Sequence, residues 1–245
     1  MEKHFRLETT SMSLHVMAMC FMLCDHLWGT LVPGNDWLTC IGRLTFPIYA
    51  FLLVEGYFHT KNLKKYLGRL FLCAVLSEIP FDLVMGGTIF YPVHQNVLWT
   101  FLIAIVMIHW NEKAKGKMWR QILVGIATIL LGSFLGLATM ADYYQAGVLT
   151  VLVFYFFRQR KWWSYVAQFF CLTYINLELL GGYLYQFQIF GHTVEFAYQG
   201  FALLALIPIW LYHGKQGPHN KVLQTVYYAF YPVHLLTLGL IKALV

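Results

Sequence analysis

Apolar residues in this chain fall into nine runs that are separated by short polar stretches. A helix needs about 20 apolar residues to cross the hydrocarbon core of a bilayer, and most of the runs approach that length. The fourth and sixth runs are shorter, and tilt or burial within a bundle accommodates them. The pattern predicts an all-α polytopic membrane protein, a single bundle of about nine transmembrane helices that forms one domain over residues 1–245. The runs are 12–32, 41–58, 65–85, 96–110, 119–139, 144–157, 162–181, 196–212 and 222–242.

The placement of charge predicts the orientation of this bundle. Charged residues make up 11% of the chain, against about 25% in soluble domains, which excludes an ordinary soluble protein. All but two of the 17 Lys and Arg residues lie in the N-terminal tail or beside the connections after the even-numbered runs. Because these residues are enriched in cytoplasmic loops, we expect a cytoplasmic N-terminus and an extracytoplasmic C-terminus. The same positions explain the net charge of +6 without nucleic acid as a partner.

Ionisable residues inside the apolar runs are the main functional signal. Such groups are costly at bilayer depth and usually face a bundle interior or a wet cavity. With a rise of about 1.5 Å per residue, Asp25 and His26 lie about 5 Å beyond the middle of the first helix, on its outer side. The third and last helices bring further ionisable residues to the same half of the membrane. We therefore predict one layer of catalytic candidates, with purely structural pairing as the alternative. The layer consists of Asp25, His26, Arg43, Glu78, Asp82 and His234.

Helix geometry suggests how the members of this layer pair. Neighbouring residues on a helix point about 100° apart, so Asp25 is not placed to orient His26. If His26 acts as a general base, we expect its orienting carboxylate to be Glu78 or Asp82 from the third helix. We expect Asp25 to meet Arg43 across the short hairpin between the first two helices.

Two further sets of residues are candidates for ligand binding. The basic residues on the cytoplasmic side either only fix topology and contact anionic lipid, or also bind the phosphates of a cytosolic donor. No Gly-rich nucleotide loop is present, so a donor site of this kind would be formed by side chains. The donor-site candidates are His59, Lys61, Lys64, Lys65, Arg69, Arg158, Arg160 and Lys161. The substrate candidates are Glu55, Asn96, Asn176 and Glu178.

The remaining features add little chemistry. The extracytoplasmic connections are aromatic and lack cations, as in residues 183–188, and we expect loops there that form an interfacial belt or a substrate mouth. Gly132 and Gly136 form a small-residue pattern that indicates close helix packing within the bundle. The five cysteines do not form a close metal-ligand set, so we expect no metal site. The first run has no small-residue cleavage site, and we expect a permanent helix there.

Five parts of the chain are distinctive as a set: residues 23–29, 42–60, 77–82, 96 and 231–234. Together they resemble the TraX family of integral-membrane proteins, which is named for the F-pilin acetylase. The resemblance implies acetylation of a pilin N-terminus, with acetyl-CoA as donor, in a bacterial plasma membrane. It also implies kinship with membrane acyltransferases such as heparan-alpha-glucosaminide N-acetyltransferase. A histidine in an early helix is functional in those enzymes, and by position this is His26.

These observations predict a membrane acetyltransferase that moves an acetyl group from cytosolic acetyl-CoA to an amine or hydroxyl of a peptide, pilin or glycan. His26 is expected to act as general base, while Arg43 and His234 stabilise charge or position the acceptor. Transfer is either direct or passes through an acetyl group held on His26. Two rival classes stay open: a proton-coupled transporter or flippase that uses the layer as a relay, and a structural membrane subunit without chemistry.

Overall fold

The structure is a computed structural model, and it describes residues 8–218 and 220–244. Most of these residues are helical, and each of the nine apolar runs contains helix. The α-helices are α1 (Ser11–Thr30), α2 (Trp37–Gly42), α3 (Thr45–His59), α4 (Leu63–Gly86), α5 (Val97–Lys113), α6 (Met118–Ala138), α7 (Tyr144–Phe156), α8 (Trp162–Tyr174), α9 (Leu206–Trp210) and α10 (Lys221–Leu244). A π-helix (Ile175–Leu180) continues α8, and a 3₁₀ helix (Tyr198–Ala205) leads into α9.

A β-hairpin between the π-helix and the 3₁₀ helix departs from the predicted all-α fold. Strands β1 (Leu184–Ile189) and β2 (His192–Ala197) pair antiparallel, with Tyr185 opposite Phe196. The expectation of a loop at residues 183–188 is therefore wrong, and the eighth apolar run begins in a strand rather than in a helix. The cause is an alternation of aromatic and amide residues in β1, which has the period of a strand and not of a helix. Phe190 and Gly191 form the turn, both with positive φ.

Two helical stretches of the described chain have both the length and the apolar composition of a membrane span. They are Trp37–His59, which combines α2 and α3, and Met118–Ala138, which is α6. The first is mostly buried within the protein and the second is mostly exposed. Helix α4 is longer than either, but it carries Lys, Arg, Glu and Asp residues along its length.

The core of the bundle is organised around α3. Ile48, Ala50 and Val54 of this helix are completely buried, and α3 packs against α1, α5, α7 and the 3₁₀ helix. Helix α10 packs on α4 and α1, and α6 packs on α5 and α7. The small-residue pattern on α6 allows this helix to pack closely on α7. A Cβ at Gly136 would lie 2.6 Å from the carbonyl oxygen of Tyr144, the first residue of α7. The prediction of close packing at this position is confirmed.

The outward faces of four helices are apolar. Large apolar side chains are more than half exposed at, for example, Leu76 of α4, Leu130 of α6, Phe170 of α8 and Leu240 of α10. Contiguous exposed apolar surface is rare on soluble monomers and marks a surface that meets lipid or another protein.

Connections that carry Lys and Arg meet at one end of the bundle. Arg158 and Lys115 both lie over the ring of Phe58, with Arg158 Cζ 4.2 Å from its centroid. Lys215 pairs with Glu8 just before α1, and its carbonyl accepts a hydrogen bond from the backbone N–H of Ser11. We call this end, formed by residues 8–12, 58–65, 113–118, 157–162, 211–218 and 220–221, the basic end.

Helix α5 begins deep beside α4, and α7 begins at a similar depth. The Asn96 side chain donates to the carbonyl of Ala74, at 2.9 Å. Ala74 precedes the end of α4 at Gly86 by a rise of about 18 Å. Gln95 and Ala141 form a bridge that holds the start of α7 at a similar depth. The two short runs therefore correspond to helices that start inside the bundle, on the side away from the basic end.

Candidate active site

Two histidines from opposite ends of the chain meet in the interior. His26 Nδ1 lies 2.6 Å from His234 Nε2, and the two rings are nearly parallel. His234 Nδ1 lies 2.6 Å from the carbonyl oxygen of Phe230. A carbonyl only accepts, so His234 carries its proton on Nδ1, and its Nε2 accepts the proton of His26 Nδ1. This tautomer leaves the lone pair of His26 on Nε2, where it can accept a proton. We call His26 and His234 the histidine pair.

The two carboxylates that were expected to orient His26 bind elsewhere. Glu78 accepts hydrogen bonds from Trp99 Nε1, at 2.9 Å, and from the Asn96 side chain. Asp82 accepts from the backbone N–H of Tyr91, at 3.0 Å. The prediction that one of them holds the imidazole is therefore wrong. They face α5 and the connection that precedes it, whereas α10 supplies the partner of His26.

The expected pair of Asp25 and Arg43 is confirmed. Arg43 Nη2 donates to Asp25 Oδ1 at 2.8 Å, and the Thr39 hydroxyl donates to the same oxygen at 2.7 Å. The other guanidinium nitrogen, Nη1, lies 3.4 Å from Gln199 Oε1, and Gln199 donates to Asn176 at 3.0 Å. Buried charges are stable only when they are paired and hydrogen-bonded, and this network supplies both. It ties α1, α2, the 3₁₀ helix and the π-helix together beside the histidine pair.

Local sequence features bring Asp25 and Arg43 close enough to pair. Trp28 Nε1 donates to Asp36 Oδ1 at 3.1 Å, which ties the end of α1 to the start of α2. A Cβ at Gly42 would overlap the side chain of Asp25, so glycine allows α1 and α2 to approach closely there. Thr39 lies one helical turn before Arg43, on the same face of the helix.

A cavity of about 490 Å³ leads from the basic end toward the histidine pair. Along α1 its lining runs from Ser11 to Met22, a rise of about 16 Å. Met22 and Tyr231 line its deep part, and they precede His26 and His234 by about one helical turn. The wall is largely aromatic, with six tyrosines: Tyr49, Tyr66, Tyr212, Tyr227, Tyr228 and Tyr231.

Only part of the expected donor site borders this cavity. Arg69 and His59 line it, and Arg69 Cζ lies 5.7 Å from the ring centroid of Tyr228. Glu55, an expected substrate residue, lines it as well and accepts from Arg158 Nε at 2.7 Å. Lys61, Lys64, Lys65 and Lys161 are exposed at the basic end and are not part of the lining, and Arg158 and Arg160 border a small neighbouring pocket.

The other expected substrate residues have structural partners or lie on the surface. Asn96 is buried and caps α5, because its side-chain oxygen accepts from the backbone N–H of Leu98 at 3.1 Å. Asn176 is buried and belongs to the network of Arg43. Glu178 is exposed on the π-helix. The structure does not bring these three residues into one site.

Three residues of the site were not among the candidates. Thr39 and Gln199 complete the Asp25–Arg43 network, and Tyr231 lines the cavity next to His234. The spacing of Thr39 four residues before Arg43 is a sequence signal for that contact. Gln199 offers no comparable signal, because its partners lie more than 20 residues away in the chain.

This chain is similar to known proteins over nearly its full length. A family model described as "TraX protein" matches residues 11–242. The chain is also similar to a protein of Dichelobacter nodosus named "Probable fimbrial assembly protein FimC, serogroup H1". The two are 28% identical over 243 residues, which cover 94% of this chain and 94% of the relative. No solved structure matches the chain.

Proposed function

This chain belongs to the TraX family, and from that premise we propose that it is an integral-membrane acetyltransferase of a bacterial plasma membrane. Its donor is cytosolic acetyl-CoA, and its acceptor is an amine at the N-terminus of a pilin-type subunit. The observation that carries the proposal is the histidine pair, which lies about one helical turn beyond the deep part of a cavity that opens at the basic end.

The proposed membrane arrangement has nine spans. It is supported by the nine helical runs, by the exposed apolar faces of α4, α6, α8 and α10, and by the grouping of cations at one end. The basic end faces the cytoplasm, where Lys and Arg are enriched. Helices α5 and α7 need not cross the full hydrocarbon thickness, because non-helical backbone at membrane depth is tolerated where protein covers it.

A role in pilus biology is supported by the relative, whose name describes a fimbrial assembly protein. The similarity covers nearly the full length of both chains, so the whole bundle is comparable. We propose that this chain likewise acts on a component of a surface filament. An acceptor reached from the far side of the membrane fits the position of the histidine pair, which lies beyond the cavity as seen from the basic end.

The proposed donor site is the cavity itself. Its volume of about 490 Å³ lies within the range of small-molecule sites, roughly 300–1,000 Å³. Arg69 at its wall provides a planar cation for a phosphate of acetyl-CoA. The exposed lysines of the basic end attract the same anion at longer range. The tyrosine hydroxyls form hydrogen bonds with the amides of the pantetheine arm. The thioester lies at the deepest point of the cavity.

The proposed chemistry uses His26 as general base. The acceptor nitrogen attacks the thioester carbonyl carbon while His26 Nε2 takes a proton from that nitrogen. The C–S bond then breaks, and His26 returns the proton to the departing thiolate, so that the products are the N-acetyl acceptor and free CoA. His234 holds the tautomer and shares the positive charge of the protonated ring. Asp25 and Arg43 fix the helix that carries His26.

Labelled acetyl-CoA and a synthetic peptide with a free N-terminus test this proposal on the purified full-length protein. We expect saturable donor binding and transfer by the wild type, while His26→Ala keeps binding and loses about 10²–10⁴-fold in transfer rate. His192→Ala on the exposed hairpin is the matched control and should transfer normally. A wild type without saturable binding, or with proton-coupled uptake instead, contradicts the proposal.

A further inference from the structure

Tyr231 joins the cavity to the histidine pair. It lies on α10, only 8% exposed, and it contributes to the cavity wall. Its ring lies against His234, with a centroid separation of 5.9 Å. Tyr227 and Tyr228 line the same wall about one turn nearer the basic end. Of these three α10 tyrosines, Tyr231 is therefore the one next to the reacting groups.

The start of α5 borders the same cavity. Val97 and Leu98, the first two residues of that helix, line it together with Tyr231. The first N–H groups of a helix have no partner within the helix, and the Asn96 side chain supplies one for Leu98. The helix N-terminus gives this part of the wall a partial positive charge.

This position determines what the phenol can do. A phenol carries one O–H proton that it can donate. The positive end of the α5 dipole borders the same cavity and favours negative charge there. Tyr231 therefore places a hydrogen-bond donor in the part of the cavity wall nearest the histidine pair.

We propose that Tyr231 donates a hydrogen bond to the carbonyl oxygen of the acetyl thioester and to the oxyanion that forms from it. The inference rests on the proposed function and names a further catalytic residue for the same site. When the acceptor nitrogen adds to the carbonyl carbon, the C=O electron pair moves to oxygen, and Tyr231 stabilises that charge without transferring its proton. The pair returns when the C–S bond breaks. A prearranged donor aimed at developing charge acts most strongly where water is excluded.

The test compares Tyr231→Phe with Tyr174→Phe, a control at an exposed tyrosine on α8 that does not line the cavity. In the purified full-length protein we expect both variants to bind acetyl-CoA within about twofold of wild type. Single-turnover transfer should fall by about 10²–10³-fold in Tyr231→Phe only, as for removal of one oxyanion donor. Equal transfer rates in Tyr231→Phe and wild type would overturn the assignment while leaving the acetyltransferase intact.

Infrared spectra of bound [1-¹³C]acetyl-CoA give a readout that does not need the variant to turn over. In wild type the thioester carbonyl band should shift to lower frequency on binding, because a hydrogen bond weakens the C=O bond, and the shift should be absent in Tyr231→Phe. A bound wild type with the band of free acetyl-CoA overturns the proposal even if the variant does not fold. A wild type that binds no acetyl-CoA overturns the function and this inference together.

Discussion

Neutralising one member of the Asp25–Arg43 pair should cost far more than neutralising both. Arg43→Gln removes the 2.8 Å charged bond and leaves Asp25 with the Thr39 hydroxyl as its stabilising contact. The two side chains are only 17% and 22% exposed, so little water replaces the lost partner. Breaking such a pair costs about 3–5 kcal/mol. We expect a similar loss for Asp25→Asn, which leaves the guanidinium without its carboxylate.

The double variant leaves two neutral amides at the site, with no uncompensated charge. Its loss should therefore be smaller than the sum of the single losses, with a coupling of about 1.5–3 kcal/mol. Thermal unfolding of the four proteins in one detergent, supported by denaturant titration, measures this coupling. Losses that add within about 0.5 kcal/mol would refute the reasoning, because they would show that the two side chains act independently.

Three further predictions follow from local geometry. Gly136→Ala should lower the melting temperature, since overpacking against a carbonyl of α7 costs about 1–3 kcal/mol, whereas Gly68→Ala, in open space on α4, should raise it slightly. The hydrogen bond to Asp142 raises the pKa of His94. Protonated His94 therefore stabilises the folded protein fully below the pKa of His94 in the unfolded chain, and this stabilisation is lost as the pH rises through the raised pKa of the folded state. The loss of stability caused by His94→Gln should accordingly become smaller between pH 6 and pH 9. Lys242 donates to a carbonyl at the end of α4, so Lys242→Met should cost about 0.3–1 kcal/mol in the same melts.

Interactions close in sequence were predictable from the chain alone. Asp25 and Arg43 are 18 residues apart and lie on either side of one short connection, so helix length and hairpin geometry bring them together. The packing role of Gly132 and Gly136 likewise follows from their spacing on one helix face. The nine helical runs follow from the length of the apolar segments.

Contacts between distant helices were not predictable in the same way. His26 and His234 are 208 residues apart, and nothing in either segment specifies that α10 lies against α1. Glu78 and Asp82 lie at a suitable depth, but depth does not specify rotation about the helix axis. That rotation is set by packing against α5, which directs Glu78 to Trp99. Sequence reasoning therefore assigned both histidines to one layer but did not predict that they pair.

The structure of the exposed hairpin was missed for a different reason. Its strands have six residues each, too short for the alternation to stand out in a chain rich in aromatic residues. The depth at which α5 begins was also not predictable from the sequence. It depends on the contact of Asn96 with the middle of α4, which a helix-length argument does not include.

The most direct test of this account is a sidedness experiment in sealed vesicles. Radiolabelled acetyl-CoA, which does not cross the bilayer, is supplied to one face at a time, and label on a peptide acceptor is counted for wild type and His26→Ala. We expect transfer by the wild type only when the donor reaches the basic end, and strongly reduced transfer by the variant. Transfer from the opposite face, or an equal rate in the variant, would contradict it.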